Sequence, residues 1–317
     1  MLKEIGGYFG LEHFEKEEYY SDLLAVNNAR NALVYLLHAK KISKIFIPFF
    51  LCDSVSKVCE REGYAYDYYN VGPDFLPIFE KQLDNNEYIY IVNYYGQINN
   101  NMLKGLTKKY KRIIFDNVQA FYQKPIDGVD TIYSCRKFFG VPDGGYLSTN
   151  VDINREIVVD NSKERMGHIL GRCEGTAREF YNEFKKNDEM FVNLELRWMS
   201  ELTHNILRAV DYESVKLRRE LNYKILEKEL GYVNKLDFFM PDGPYCYPFY
   251  CEKGMELKQK LATKNVYVAT LWPNVIEMEG TLEKDLAQNI LPLPCDQRYG
   301  MEEMLYISQE IKELLKI

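Results

Sequence analysis

Long hydrophobic runs and a surplus of basic residues are both missing from this sequence of 317 residues. The longest apolar stretches, such as Ile45–Cys52, are far shorter than the roughly 18–20 residues that a helix needs to cross a bilayer. This shortness argues against a membrane-spanning protein. The formal net charge of −7 argues against a dedicated nucleic-acid-binding protein, because such proteins normally carry a positive surplus.

Histidine is scarce, and the cysteines follow no pattern. The four histidines lie far apart with no metal-ligand spacing, so we predict no metal site. The seven cysteines are an odd number, and none forms a CxxC pair, which is typical of a reducing compartment. The first residues, MLKEIGGYFG, contain an early glutamate and no apolar core of a secretory signal. We therefore expect a cytoplasmic protein.

Apolar strands and helices alternate along the first half of the chain. With 46% hydrophobic residues the chain has enough apolar surface to fold, and its length allows about two domains. Strands that are nearly all apolar, separated by helices, are typical of a mainly parallel sheet covered on both faces. Strands are predicted at Lys44–Phe50, Ala65–Asn70, Tyr88–Tyr94, Arg112–Asp116 and Thr131–Ser134, and helices at Asn27–Lys40, Asp53–Glu62 and Asn100–Tyr110.

The second half of the chain has a different pattern. The stretch from Ser162 to Leu230 indicates long helices, and the proline-rich turn Met240–Pro244 suggests a boundary. Beyond this turn we predict a smaller α+β lobe, so that the large domain spans residues 1–240 and the small domain residues 241–317. Its predicted strands are Tyr245–Tyr250 and Asn265–Ala269, and its predicted helices are 254–264 and Gly300–Ile317.

Polar residues end several of the predicted strands. Asn93, Asp116 and Ser134 each follow an apolar run, and Lys137 comes three residues after Ser134. In parallel sheets the ligand binds at the carboxyl ends of the strands, so these residues are candidates for a shared site. Each of these residues also has an interpretation that involves no ligand. For example, Asp116 is able to cap a helix, and Lys137 is able to lie in a solvated loop.

Five segments together resemble one enzyme family. In order and spacing they resemble the DegT/DnrJ/EryC1/StrS family, which are pyridoxal-phosphate-dependent sugar aminotransferases of fold type I. The resemblance implies an α/β fold of that type, with a mainly parallel large domain and a smaller C-terminal α+β lobe. The segments are NNARNAL (27–33), IPFFLCDSV (47–55), FDNVQAFY (115–122), SCRKFFGVPDGGYL (134–147) and LPLPCDQRYGMEEM (291–304).

The resemblance assigns the catalytic chemistry to three residues. Lys137 would form a Schiff base with the aldehyde of pyridoxal 5'-phosphate, helped by a neighbouring cation such as Arg136. Asp116 would keep the pyridine nitrogen protonated, so that the ring withdraws electrons. Gln119 would contact the ring hydroxyl oxygen. The spacing of three between Ser134 and Lys137 departs from the family, where five is common.

The remaining contacts to the cofactor and substrate are also implied by the resemblance. Arg30 and Asn31, at the start of the first helix, would bind the cofactor phosphate together with Ser134. The family places an aromatic side chain over the ring, where this chain has Cys52, and we assign that contact to Phe50. Tyr94 and Tyr95 are the candidate sugar contacts, although a tyrosine in a strand is equally able to be a core residue.

The expected activity is transfer of an amino group from an amino-acid donor to a nucleotide-linked keto-sugar. Relatives that act as dehydratases carry histidine in place of the lysine, so Lys137 favours transamination. A homodimer with shared active sites is also implied, with a cross-subunit phosphate contact from Arg165, Arg172 or Arg178. The alternative is a non-catalytic member of the fold that binds a sugar nucleotide or acts as a regulator.

Overall fold

The fold is organised around one large sheet. The computed structural model describes residues 5–278 and 280–317, and in these residues eight strands form the sheet in the order β1-β8-β7-β6-β5-β2-β3-β4. The five inner strands β7, β6, β5, β2 and β3 pair in parallel, and the edge pairings are antiparallel. The strands are β1 (Leu24–Val26), β2 (Lys44–Pro48), β3 (Ala65–Val71), β4 (Pro77–Ile78), β5 (Glu87–Val92), β6 (Ile113–Asp116), β7 (Asp130–Ser134) and β8 (Gly145–Ser148).

Helices cover the sheet, as the apolar strands predicted. The first three are α1 (Ala29–Ala39), α2 (Ser54–Glu62) and α3 (Asn100–Lys109). Asn28 begins α1, because its side-chain oxygen accepts a hydrogen bond from the backbone N–H of Asn31. Gly63 ends α2 in the left-handed conformation, with a φ of 74°. The prediction of a mainly parallel α/β fold is therefore confirmed.

The segment between residues 157 and 230 is more broken than the sequence predicted. It contains α4 (Gly167–Glu174), α5 (Tyr181–Met190), α6 (Glu201–Arg208) and the longer α7 (Tyr212–Leu230). An extended residue, Gly175, ends α4, and the side chains of Ser200 and Asp211 cap the starts of α6 and α7. The expectation of long helices throughout this stretch was wrong except for α7.

The C-terminal lobe consists of β9 (Tyr247–Tyr250) and β10 (Ile290–Leu293), which pair antiparallel, with α8 (Gly254–Thr263), α9 (Leu282–Asn289) and α10 (Met301–Leu315). The predicted strand at Asn265–Ala269 was wrong, because Val266 and Val268 are buried without pairing in a sheet. Tyr223, Leu226 and Leu230 of α7 also belong to the core of this lobe. The division at residue 240 stays a prediction.

None of the helices in the described ranges is long and apolar enough to cross a membrane.

Candidate active site

The candidate site lies at the carboxyl edge of the inner strands. β6 ends at Asp116 and β7 at Ser134, and the two strands are parallel neighbours in which Asp116 pairs with Ile132. Asn93 follows β5, the neighbour on the other side of β6. Because parallel strands end at the same edge of the sheet, the polar residues that end these strands lie side by side.

Asp116 is held rigidly in this edge. It is 4% exposed, and its Oδ2 accepts a hydrogen bond of 2.7 Å from the Tyr90 hydroxyl. Its Oδ1 accepts a bond of 2.9 Å from the backbone N–H of Val118. Burial raises the pKa of Asp116, and the positive charge of Lys137 and these two hydrogen bonds lower it in part. The carboxyl group is therefore fixed in place and under the influence of Lys137.

Lys137 lies on the exposed side of the same site. Its Nζ is 5.8 Å from the centroid of the Tyr245 ring, just before β9. Burial raises the pKa of the neighbouring Cys246 thiol. The positive charge of Lys137 lowers that pKa in part, as it lowers the pKa of Asp116. The side chain is exposed and makes no hydrogen bond or ion pair with any described residue. The structure therefore brings Asp116 and Lys137 to one site, with a free amine.

Gln119 is buried one short turn after Asp116. Its Oε1 accepts a hydrogen bond of 2.7 Å from the backbone N–H of Tyr95, a residue with a φ of 54°. Its amide nitrogen donates to no residue in the described part of the chain. The side chain therefore keeps an unused donor three residues after Asp116.

The N-terminus of α1 provides free hydrogen-bond donors. The backbone N–H groups of Ala29 and Arg30 have no partner within the described ranges. The side-chain nitrogen of Asn28 is buried and likewise without a partner there. A Cβ on Gly145 would lie 2.8 Å from the Ala29 nitrogen, so only glycine allows β8 to pass this close. Gly145 pairs with Ser134, which brings the Ser134 hydroxyl near the same helix end.

Two arginines stand near these donors. Arg30 is half-buried and forms no ion pair with a described residue. Burial lowers the pKa of Arg136 to about 10, and the neighbouring charge of Arg30 contributes to the shift. Arg136 stacks 3.9 Å from the centroid of the Phe191 ring and reaches Asp188 at 3.5 Å. The sequence predicted Arg136 only as a cation beside Lys137, and it gave no signal that Arg136 also lies near Arg30.

Three of the predicted contacts, Phe50, Tyr94 and Tyr95, pack among aromatic side chains of the core. Phe50 is 0% exposed, and its ring centroid is 4.4 Å from that of Trp272 and 5.0 Å from that of Tyr94. The Tyr94 hydroxyl donates a hydrogen bond of 2.5 Å to the Phe50 carbonyl, and Tyr95 is equally buried. All three side chains are buried, which argues against Phe50 as the ring contact and against the two tyrosines as substrate contacts.

Asn31 and Cys52 also have local partners. The Asn31 side-chain nitrogen donates to the side chain of Asn27 and to the carbonyls of Leu194 and Glu195. Its backbone N–H donates to the Asn28 side chain in the cap of α1. The predicted phosphate contact of Asn31 therefore has no free donor in the described structure. The half-buried Cys52 thiol lies 2.8 Å from the Ser54 hydroxyl. Cys52 therefore supplies no aromatic ring at the position where the family has one.

The candidate cross-subunit arginines separate into two groups. Arg165 is buried and donates a hydrogen bond of 2.7 Å to the Asp160 carboxylate of its own chain. It is therefore unsuited to reach a second subunit. Arg172 and Arg178 are exposed on and after α4.

The whole architecture matches several solved structures. The chain matches the solved DegT DnrJ EryC1 StrS aminotransferase from Brucella abortus with a TM-score of 0.61 at 16% identity, over 92% of this chain and 85% of that one. It matches NtdA from Bacillus subtilis with bound cofactor PMP with a TM-score of 0.66 at 15% identity, over 93% and 73% of the two chains. The chain therefore has the fold of the type I pyridoxal-phosphate transferases, as predicted.

A third solved structure is DesI in the presence of its TDP-sugar product. It matches with a TM-score of 0.62 at 14% identity, over 92% of this chain and 79% of that one. No protein-family model and no curated protein sequence matches the chain. At these identities the likeness concerns the fold, and the function has to be argued from the site.

Proposed function

We propose that this chain is a pyridoxal-phosphate-dependent aminotransferase that acts on a sugar. One observation carries the proposal. In a fold shared with sugar aminotransferases, the buried Asp116 ends β6, and the exposed Lys137 follows the end of the neighbouring parallel strand β7 by three residues. This pair of groups is what the chemistry of the cofactor requires.

The residues at the start of α1 fit the phosphate of this cofactor. A phosphate dianion needs several donors, and the helix offers two free backbone N–H groups and the positive end of its dipole. The buried nitrogen of Asn28 lacks a partner in the described chain, and a bound oxygen would satisfy it. Arg30 and the Ser134 hydroxyl complete a cradle that we infer binds the phosphate.

The chain's own residues would then divide the work. Pyridoxal phosphate, when bound, supplies an aldehyde that condenses with amines and a ring that accepts electrons. Lys137 would supply the amine for attachment and would carry a proton to and from the substrate carbon. Asp116 would accept a hydrogen bond from the ring nitrogen, whose positive charge favours the ionised carboxylate that burial otherwise disfavours. The free amide nitrogen of Gln119 would donate to the ring hydroxyl oxygen.

The proposal also names the two substrates. We infer a nucleotide-linked keto-sugar as the amino acceptor and an amino acid as the donor. This inference is supported by the likeness in fold to DesI, which was solved with its TDP-sugar product.

The test is spectroscopic and chemical. Purified chain mixed with pyridoxal phosphate should develop an absorbance band in the near-visible range, and borohydride should fix the label on Lys137, located by mass spectrometry. Addition of an amino donor should shift the band. Chain that cannot take up the cofactor, or that carries the label on another lysine, would contradict the proposal.

A second candidate function has one observation in its favour. Cys52 stands where the family has an aromatic ring, and the nearby Phe50 is fully buried. A site without that ring suits a protein that binds its ligand without turnover. Cofactor that binds, but whose absorbance changes with none of the amino donors tested, would favour this non-catalytic function.

We further infer a homodimer. Large apolar side chains are exposed on and around α4 and α5, where contact with a second copy would remove them from water. Sedimentation equilibrium should give twice the mass of the chain, and a monomer at micromolar concentration would contradict this inference. The exposed residues are Val158, Val159, Leu170, Tyr181, Phe184 and Met190.

A cytoplasmic location completes the proposal. All seven cysteines lie in the described part of the chain, and each is a free thiol there. Five of them are buried, which suits a compartment that keeps thiols reduced. Fractionation of cells that express the chain tests this location.

A further inference from the structure

The residue after Lys137 is held by the C-terminal half of the chain. The Gln297 side-chain nitrogen donates a hydrogen bond of 2.6 Å to the Phe138 carbonyl oxygen. The Arg219 guanidinium donates a second bond of 3.2 Å to the same oxygen and lies 4.5 Å from the centroid of the Phe138 ring. The backbone of Phe138 is therefore fixed by Arg219 of α7 and by Gln297, and its ring packs against Arg219.

Arg219 connects three segments around the lysine. It is 1% exposed on α7, and its Nε donates a bond of 2.8 Å to the Gln297 Oε1. Its Nη1 donates a bond of 2.9 Å to the Pro244 carbonyl, next to the Tyr245 ring that faces Lys137. Burial lowers the pKa of Arg219, and its hydrogen-bond partners in the described chain are neutral oxygens. A buried cation without an anionic partner is costly, so its network has to offset that cost.

Lys137 has no such anchor of its own. Its amine makes no hydrogen bond with a described residue, and on its other flank Arg136 stacks on Phe191. The position of Nζ therefore depends on the backbone between Arg136 and Phe138. A shift of about 1 Å in a reacting group is able to change a rate by on the order of 100-fold.

We propose that Arg219 and Gln297 are positioning residues that place the Lys137 amine for attack on the cofactor aldehyde, by fixing the carbonyl and ring of Phe138. This inference rests on the proposed function. It assigns to α7 and to the loop that carries Gln297 an indirect part in aligning the nucleophile, because neither residue touches the reacting atoms.

The test compares two forms of the cofactor on the full chain. Pyridoxal phosphate reacts with Lys137, whereas pyridoxamine phosphate binds the same cradle but has no aldehyde. Gln297→Met removes the bonds of that side chain at similar size, and Arg219→Met removes the whole network. We expect attachment of pyridoxal phosphate, trapped with borohydride, to slow by about 10-fold in Gln297→Met and about 100-fold in Arg219→Met. The affinity for pyridoxamine phosphate, measured by fluorescence, should stay within about twofold of wild type.

Asn222 offers a matched control. It is buried one turn after Arg219, and its side chain donates to the carbonyls of Cys295, Asp296 and Tyr299 in the loop that carries Gln297. It does not contact Phe138 in the described structure. Asn222→Leu should therefore lower stability and leave the attachment rate per folded molecule at the wild-type value.

The outcomes separate the two hypotheses. Attachment at the wild-type rate in Gln297→Met, or an equal slowing in Asn222→Leu, would overturn the positioning role while the proposed function stands. Equal losses for both forms of the cofactor in Gln297→Met would also overturn it, because they would place the effect on binding. Wild-type chain that binds neither form would overturn the proposed function, and the positioning role with it.

Discussion

The two sides of the candidate site are held in different ways. Asp116 lies at the end of a central strand, is buried, and has both carboxyl oxygens hydrogen-bonded. Lys137 lies in the loop between β7 and β8, is exposed, and is fixed only through its neighbours. The electrostatic side is thus built into the sheet, and the nucleophilic side depends on contacts from α7 and from the loop that carries Gln297.

This difference suits the chemistry that we propose. A group that stabilises charge works best when it is already in place before the reaction, because it then costs no reorganisation. An amine that attaches to a cofactor, is released and returns has to keep some freedom to move. The variants below test each side of this contrast.

The largest expected effect belongs to Lys137→Ala. This variant should lose covalent attachment of pyridoxal phosphate and all turnover, because no other described amine takes its place at the site. Its free energy of unfolding should stay within about 0.5 kcal/mol of wild type, since the side chain is exposed. Urea denaturation and mass spectrometry of the reduced complex measure the two effects. The exposed Lys163→Ala is the control, and residual turnover in Lys137→Ala would refute the assignment.

Asp116→Asn should separate activity from stability. Loss of the carboxylate should lower kcat/KM by on the order of 10²–10³-fold, as expected for one preorganised electrostatic group. The folded-state pKa of Asp116 is raised, so the wild-type chain loses stability as pH rises through that pKa. The neutral asparagine avoids this loss. The cofactor-free variant should therefore melt at or above the wild-type temperature at pH 7, with the advantage disappearing in acid.

A clear result against this prediction would be a variant that is less stable than wild type at pH 7 and equally active. Tyr90→Phe is the matched control, because it removes one hydrogen bond to Asp116 and keeps the charge. It should change kcat/KM by less than Asp116→Asn does.

The sequence predicted the parts of the site that depend on local order along the chain. Asp116 and Ser134 end apolar strands, and Lys137 follows at a fixed spacing, so their common edge follows from parallel pairing. The local order of residues does not predict whether an aromatic side chain is exposed or buried. β5 ends at Val92, and the turn after it buries Tyr94 and Tyr95 against residues as distant as Trp272. The network of Arg219 joins segments far apart in the chain, and local patterns carry no signal of it.

Arg30→Gln and Ser134→Ala test the phosphate cradle next to the lysine loop. A hydrogen bond to a charged group contributes about 1.5–3 kcal/mol and a neutral one about 0.5–1.5 kcal/mol. Both side chains would donate to the phosphate dianion, so the range for a charged partner applies to both. We therefore expect the dissociation constant of pyridoxamine phosphate to rise by about 10- to 100-fold in each variant, with the larger rise in Arg30→Gln because it also removes a positive charge. Fluorescence titration measures both, and inorganic phosphate should compete less well in Arg30→Gln. Arg155 is exposed, so Arg155→Gln serves as the control. An equal loss of affinity in this variant would mean that the net charge of the protein, and not a specific phosphate site, explains the effect.

The smallest expected effect on activity is that of Tyr94→Phe, which tests the boundary between the site and the core. The Tyr94 hydroxyl donates to the Phe50 carbonyl, so its removal should lower the free energy of unfolding by about 1 kcal/mol. The ring stays in the cluster with Phe50 and Trp272. Turnover and the dissociation constant of the cofactor should therefore remain at wild-type values. A raised KM for the sugar with unchanged stability would return Tyr94 to the substrate site, and would mean that the aromatic cluster opens when the substrate binds.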